Sequence, residues 1–480
     1  MDTRAMYGRR VITTDVEVIT AENVVEVLEE AMKIHDKNRS EIDYLWKYFK
    51  GEQPILTRKK TVRPEICNRI VENRANEIVS FKVGYLCGEP IQYVGRNSDA
   101  TITKGIGTLN EYMFLVDKPA LDQEVVEWGM ICGTANRMVL ANDAYDAESD
   151  EAPFEMYTLD PRDSFVVYSN DVKRRRMLGV KYNTDEFGQK TFSAYSDGLY
   201  FTIKDGKVTE QKAHALNYEP IIEYPANNAR LGAFEIVLPL LDAINNIESN
   251  RMDGIEQFVQ AFVKFINCDI TKEDFEALKD LGAIKVKSSD GQQADVDIVT
   301  NELNQQQTQT LKEDIYKAIL SICGLPSMSD GNTSDSSNNG AVILKNGWQG
   351  AETRAKDSEM MFKRSEKEVL RLVLKLCDGL ADLKLKLKDI DMKFTRRNYD
   401  NIQSKSQVLV AMLQQPKVHP LLAFTHCGLF SDPESAYTMS NEYYEEQMSK
   451  WEPVDVEDED PDNDSDKDVV DKEKSDVQSS

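Results

Sequence analysis

Between positions 239 and 380 the sequence alternates long helical patterns with interruptions of very different chemistry, and this order constrains the fold more than any other feature. Pro239 suits the first turn of a helix, where its missing N–H costs nothing. Leu240, Ile244, Ile247, Ile255, Phe258, Phe262 and Ile266 then recur along one stripe at helical spacing. Read as one continuous helix to Phe265, the segment is about 40 Å long at ~1.5 Å per residue. A helix of that length with a single apolar stripe buries one side and offers the other to something else.

A compact insert follows. Thr271 and Asp274 suit the start of a short helix carrying Phe275 and Leu278. Residues 283–287 alternate like a strand, Asp290-Gly291 turns, and Val296 and Ile298 alternate again. A second helix is expected over 304–323, with Leu311, Ile315, Ile319 and Ile322 in register, stopped by Gly324 and Pro326. Residues 327–340 are almost wholly Ser, Asp, Asn, Thr and Gly, with Met328 as the one apolar anchor. Such a segment cannot repay its ordering entropy unaided. A third helix begins at 341–344 and Trp348, runs to Cys377 and ends at Gly379 as a left-handed cap.

The first 230 residues read as an α+β domain. Helices are expected over 21–48 and 66–83, a short strand at Ile91 and Tyr93, and a helix over 120–130. Strands follow at 137–140, 154–159, 165–168, 180–182 and 199–203, several separated by Asp-Gly-type turns. Leu383, Leu385 and Leu387, then Ile390, Met392 and Phe394, suggest a strand with a bulge or a hairpin. A last helical part covers 402–450, broken at Pro416 and Pro420.

A chain of 480 residues can hold two to four domains. No apolar run approaches the ~20 residues of a membrane span, and no signal peptide is expected at the N-terminus. Seven scattered cysteines without a C-x-x-C pair point to a reducing compartment, so the chain is expected to be soluble and made in a cytoplasm. The net charge of −25 argues against a sequence-reading nucleic-acid binder. Residues 452–480 hold 13 Asp and Glu against 3 Lys, and are expected to be a disordered, solvating tail. The densest basic run, Lys173-Arg174-Arg175-Arg176, reads as a solvated hairpin loop, because no aromatic residues interleave with it.

Motifs for an enzyme are missing. There is no phosphate-cradling G-x-x-x-x-G-K-[ST] loop, no H-E-x-x-H and no G-x-S-x-G. Gly105-Ile106-Gly107 lacks a third glycine and reads as a turn, and His426 beside Cys427 cannot close a zinc site alone. No enzymatic activity, metal or cofactor is expected.

The order of these elements resembles the portal proteins of tailed bacteriophages, of the siphophage type. The likeness lies in 73–93 (NRANEIVSFKVGYLCGEPIQY), Gly133-Thr134-Ala135, 157–168 (YTLDPRDSFVVY) and 220–262, where PIIEYPANN leads into AFEIVLPLLDAINNIESNRMDGIEQFVQAF. It continues in NGAVILKNGWQGAE, IDMKFTRRNYDN and GLFSDPESA. The resemblance implies an α+β, predominantly helical portal fold that assembles as a cyclic ring. Its parts would be a wing (1–233), a first stem helix (234–266), a clip (267–302), a second stem helix (303–324), a tunnel loop (325–345), a long wing helix with strands (346–395) and a crown (396–451), with the acidic tail (452–480) outside the matched part.

The same resemblance implies a homododecamer at one capsid vertex of the virion. Double-stranded DNA passes through it without sequence recognition, and terminase, a head-completion adaptor, scaffold and the major capsid protein are its partners. Channel-lining candidates on the stem are Glu248, Arg251, Asp253, Glu256 and Lys264. Tunnel-loop positions facing DNA would be Asn332, Thr333, Ser334, Asp335, Ser336, Asn338, Asn339 and Lys345, and Lys272, Lys279, Lys285 and Lys287 of the clip would face the motor or adaptor. An acidic channel wall would keep DNA sliding, since each neutralised phosphate tightens binding. The competing expectation is a scaffold-like or adaptor protein that uses long helices without a DNA channel.

Overall fold

The computed structural model describes residues 8–449 apart from 97–98, 147, 149, 215–217, 260–261, 267–294, 300–304, 327–346, 397–401 and 431–432. The expected insert elements between Thr271 and Lys287, the polar loop, the helix start at 341–344 and the acidic tail lie outside the described residues. The chain forms two compact units, Met1–Ile402 and Gln403–Ser480.

The first unit opens with strand β1 (Ile12–Thr14) and helix α1 (Val24–Phe49). Helix α2 (Arg74–Cys87), strand β2 (Gln92–Gly95), and helices α3 (Ala100–Leu115) and α4 (Lys118–Cys132) follow. Eight strands come next: β3 (Thr134–Ala141), β4 (Phe154–Leu159), β5 (Ser164–Ser169), β6 (Arg176–Thr184), β7 (Lys190–Tyr195), β8 (Leu199–Lys204), β9 (Lys207–Ala213) and β10 (Ile221–Pro225). Helix α5 (Leu238–Val259) leads to β11 (Phe262–Ile266), which pairs antiparallel with β12 (Asp295–Val299). Helices α6 (Gln305–Cys323) and α7 (Trp348–Ala381) and strand β13 (Ile390–Lys393) complete the unit. The second unit carries α8 (Ile402–Leu413), which straddles the boundary, with α9 (Pro420–Cys427) and α10 (Pro433–Ser449).

Two sheets give the unit its layers. A six-stranded sheet runs β1-β5-β6-β7-β8-β9, antiparallel throughout except for the parallel β1–β5 pair. The first half of α1 covers it, with Val24, Val27, Leu28 and Ala31 against Phe165, Val167, Leu178 and Phe201. These are alternate positions of strands and i, i+3, i+4 positions of the helix, as the two periodicities require. The second sheet, β10-β3-β4, shares a larger core with the second half of α1, with α2 to α4, with α7, with the first turns of α5 and with the last turns of α6.

Several expected elements differ in the structure. Residues 66–83 do not form one helix: only Arg74–Cys87 is helical, and the residues before it run as an extended strap. Ile66 and Ile70 mimic helical spacing, but the Ile66 N–H closes a local turn on the Arg63 carbonyl, and those of Ile70 and Glu72 go to side chains of α5. Gly105-Ile106-Gly107 is no turn but part of α3, where a Cβ on Gly105 would stand 2.9 Å from Leu385 Cδ2. The long first helix stops at Val259, and Phe262–Ile266, rich in β-branched and aromatic residues, is a strand. Helix α7 passes Gly379 and ends with Asp382 in the left-handed region at φ 48°. Residues 383–386 form no strand; only Ile390–Lys393 does, and its partner is β2.

Candidate functional site

Helix α5 carries polar residues Asn245, Ser249 and Asp253 at i, i+4 and i+8, and all three are buried. They face the strap. The N–H of Glu72 donates to Asn245 Oδ1 at 2.8 Å, that of Ile70 to Ser249 Oγ at 3.0 Å, and that of Asn68 to Asp253 Oδ1 at 2.7 Å. The match is geometric. Two residues of extended chain span about 6.6 Å and four residues of helix about 6 Å, so every second strap amide meets the next turn of α5. The strap therefore runs antiparallel to the helix, and its amides are satisfied without a sheet.

Asp253 gathers most of the charge. Its carboxylate also lies 3.0 Å from Lys60 Nζ, 3.0 Å from Arg58 Nη2 and 3.0 Å from Asn68 Nδ2. Burial pushes this carboxyl upward, but the Asn68 amide, Lys60 and Arg58 together hold it below the usual range. Asp253 is thus an internal anchor and not the exposed stem position the sequence suggested.

The face of α5 toward α6 is also ionic. Lys312 Nζ bridges Glu248 Oε1 at 2.7 Å and Glu72 Oε2 at 2.9 Å. Arg251 Nη1 lies 3.0 Å from Glu248 Oε1 and 3.0 Å from Gln309 Oε1. One turn further along α6, Tyr316 donates to Glu77 at 2.6 Å, and the Arg74 guanidinium lies over its ring while pairing with Glu72 and Glu77. Strap, α2, α5 and α6 are thereby joined through shared carboxylates. Of the stem positions singled out from sequence, Glu248 and Arg251 meet here, Glu256 is half-buried, and Lys264 lies on β11 in register with Asp297. Lys272, Lys279, Lys285 and Lys287, and Asn332, Thr333, Ser334, Asp335, Ser336, Asn338, Asn339 and Lys345, lie outside the described residues.

Sequence reasoning missed Asn245, Ser249 and Lys312, and the partners Arg58, Lys60 and Asn68. The signal was present: three small polar residues four apart form a second stripe beside the apolar one on the same helix.

At the far end of α6, Gly347 lies beside Pro326, with 3.8 Å from its Cβ position to Pro326 Cα. The chain therefore leaves α6 and returns to α7 at adjacent points. Trp348 packs there against Phe81 and Tyr85, with ring centroids 6.0 Å away in each case.

Helix α7 is pinned to the sheet by a buried ionic cluster. Glu366 receives the hydroxyls of Tyr93 at 2.6 Å and Tyr224 at 2.5 Å. Lys118 lies 3.1 Å from Glu366 and 2.5 Å from Asp122, and Arg137 lies 2.8 Å from Asp122 and 3.4 Å from Glu366. Burial opposes ionisation of Glu366, yet Lys118, Arg137 and the two hydroxyls hold it well below the usual carboxylate range. The cluster is closed to solvent, so its chemistry is structural. Among the described residues no three His, Cys, Asp or Glu side chains come together as a metal site, and no helix is long and apolar enough to cross a membrane.

Helices α5 and α6, clamped to each other and to the strap, thus join the α+β body to the two-stranded ribbon β11–β12. The family profile "Phage portal protein, SPP1 Gp6-like" matches residues 28–456, and the chain belongs to that family. Among solved structures it is similar to a chain in the neck of an empty GTA particle computed with C6 symmetry, at 11% identity and a TM-score of 0.45, covering 74% of this chain and 90% of that one. No curated protein sequence matches the chain.

Proposed function

We propose that this phage portal protein forms a closed ring at one capsid vertex, through which double-stranded DNA is packaged and later ejected. The ring is the docking site for terminase and for head-completion proteins. The single observation that carries this reading is the stem. Helices α5 and α6 are locked to the strap on one side, while Met252 and Ile255 of α5 and Leu311 of α6 stay exposed in the single chain. Neighbouring copies would cover these residues, since a closing heterologous interface presents one patch to a different patch.

In this reading residues up to 233 and most of α7 form the wing, α5 and α6 the stem, and β11 and β12 the root of the clip. The segment between Pro326 and Gly347 is the tunnel loop, and the second unit is the crown. The channel contacts DNA weakly and takes no part in catalysis. The net charge of the whole chain without the tail is about −15, which opposes tight phosphate binding. Deleting 330–339 tests the channel role. Rings and particles should form while packaging or retention of DNA falls at least tenfold; normal DNA content in the particles would overturn it.

A further inference from the structure

On this acidic chain one groove is cationic. It lies within the first unit between the β5–β6 turn, β10 and α7, and its volume is about 670 Å³. Lys173, Arg174 and Arg175 come from the turn and Arg364 from α7. The deeper cations are already engaged: Arg176 lies 3.1 Å from Glu219 and 3.5 Å from Glu368, and Arg230 lies 2.7 Å from Glu223. Arg175 pairs with Asp171 at 3.7 Å, and Asp197 stands at the rim. Lys173, Arg174 and Arg364 are exposed and form no ion pair among the described residues.

The turn that carries the cations is fixed. Asp171 Oδ1 accepts the N–H groups of Lys173 at 3.0 Å and Arg174 at 2.9 Å and the Ser169 hydroxyl at 2.7 Å. Ser169 Oγ in turn accepts the N–H of Arg175 at 2.8 Å. The cations are therefore presented with little ordering still to be lost on binding. Tyr218 and Met361 add apolar wall beside them.

We propose that this groove docks the acidic C-terminal stretch, residues 452–480, of a second copy of the chain. Charge is the argument. The stretch has a net charge of −10 with its acids closely spaced, and the groove's charged groups outside ion pairs are three cations, Lys173, Arg174 and Arg364, against one acid, Asp197 at the rim. Twenty-nine residues reach about 95 Å when extended, enough to pass from one copy to another. A volume of about 670 Å³ has room for a few residues of polypeptide. The proposal needs copies side by side, as in the ring reading, but the peptide titration below reads the groove whether or not a ring closes.

The test is fluorescence anisotropy with a labelled synthetic peptide of residues 452–480 and the full-length protein. The expected result is saturable binding that weakens at least tenfold in the triple variant Lys173→Glu, Arg174→Glu, Arg364→Glu. All three groups are exposed, so the melting temperature should stay within a few degrees of wild type. A control with the same charge change on another exposed set, Lys384→Glu, Lys386→Glu and Lys388→Glu, should change affinity less than twofold. Equal losses in both variants would reduce the effect to net charge and overturn the proposal. So would absence of peptide binding, or groove-dependent binding of a short DNA duplex in its place.

Discussion

The backbone N–H of Ile70 donates to the hydroxyl of Ser249 at 3.0 Å, joining an extended strap to the middle of a stem helix. The same pattern repeats one helical turn away on each side, at Asn245 and Asp253. Ser249→Ala removes one of these bonds and should cost about 1 kcal/mol; Asp253→Ala removes a charged acceptor and should cost about 2–3 kcal/mol. Amide exchange at Asn68 and Ile70 should accelerate in Asp253→Ala while exchange in the six-stranded sheet is unchanged. Unaltered exchange at both amides would mean that the ladder does not hold the strap.

Glu366 neutralises Arg137 and Lys118 where neither can reach water. Glu366→Leu should cost about 3–5 kcal/mol, because removing one member of a buried ionic cluster strands the others. Chemical denaturation measures this, and a loss below 1 kcal/mol would contradict the account.

His35 gives the fold an acid-sensitive step. It is stacked on Phe165, with ring centroids 4.4 Å apart, and its Nε2 lies 3.1 Å from the Arg162 carbonyl. Burial lowers it from 6.5 to about 4. Between these values the unfolded chain binds more protons than the folded one, so stability falls as pH drops from about 6.5 towards 4. The full effect is about 3 kcal/mol at ~1.36 kcal/mol per pH unit. Stability measured against pH should show this slope, and His35→Gln should flatten it.

Gly133 ends α4 at φ +83°, and a Cβ there would stand 2.0 Å from the carbonyl oxygen of Arg230. Both the left-handed backbone and the contact with another backbone forbid a side chain. Gly133→Ala should cost more than about 2 kcal/mol, of which strain alone supplies about 1–3. A melting temperature equal to wild type would refute the close approach.

How far the sequence revealed the fold can be traced residue by residue. The apolar stripes of α5 and α6 were legible because long amphipathic helices repeat their signal over many turns. Pro416 and Pro420 marked the break between α8 and α9 for an equally local reason, while the break between α9 and α10 went unmarked. The strap was not legible, because Ile66 and Ile70 match helical spacing while the amide of Ile70 pairs with Ser249, 179 positions away. Helix α3 was hidden by Gly105 and Gly107; glycine at 105 serves the approach of Leu385 and not a turn, and a Cβ at 107 would meet nothing within 4 Å. Strand β9 was missed because its residues, KVTEQKA, are mostly exposed and lack an apolar alternation. The stem positions Glu248 and Arg251 were named for their exposure and charge. Their actual partners, Lys312 and Gln309, follow only once α5 and α6 are packed together.

The central claim is that these clamped stems belong to a closed ring. Native mass measurement of the purified full-length chain, with negative-stain imaging of the same sample, tests it most directly. The account predicts particles of about a dozen copies with a central hole, including at high concentration or with scaffold present. A chain that stays monomeric or forms open assemblies under all of these conditions would contradict it.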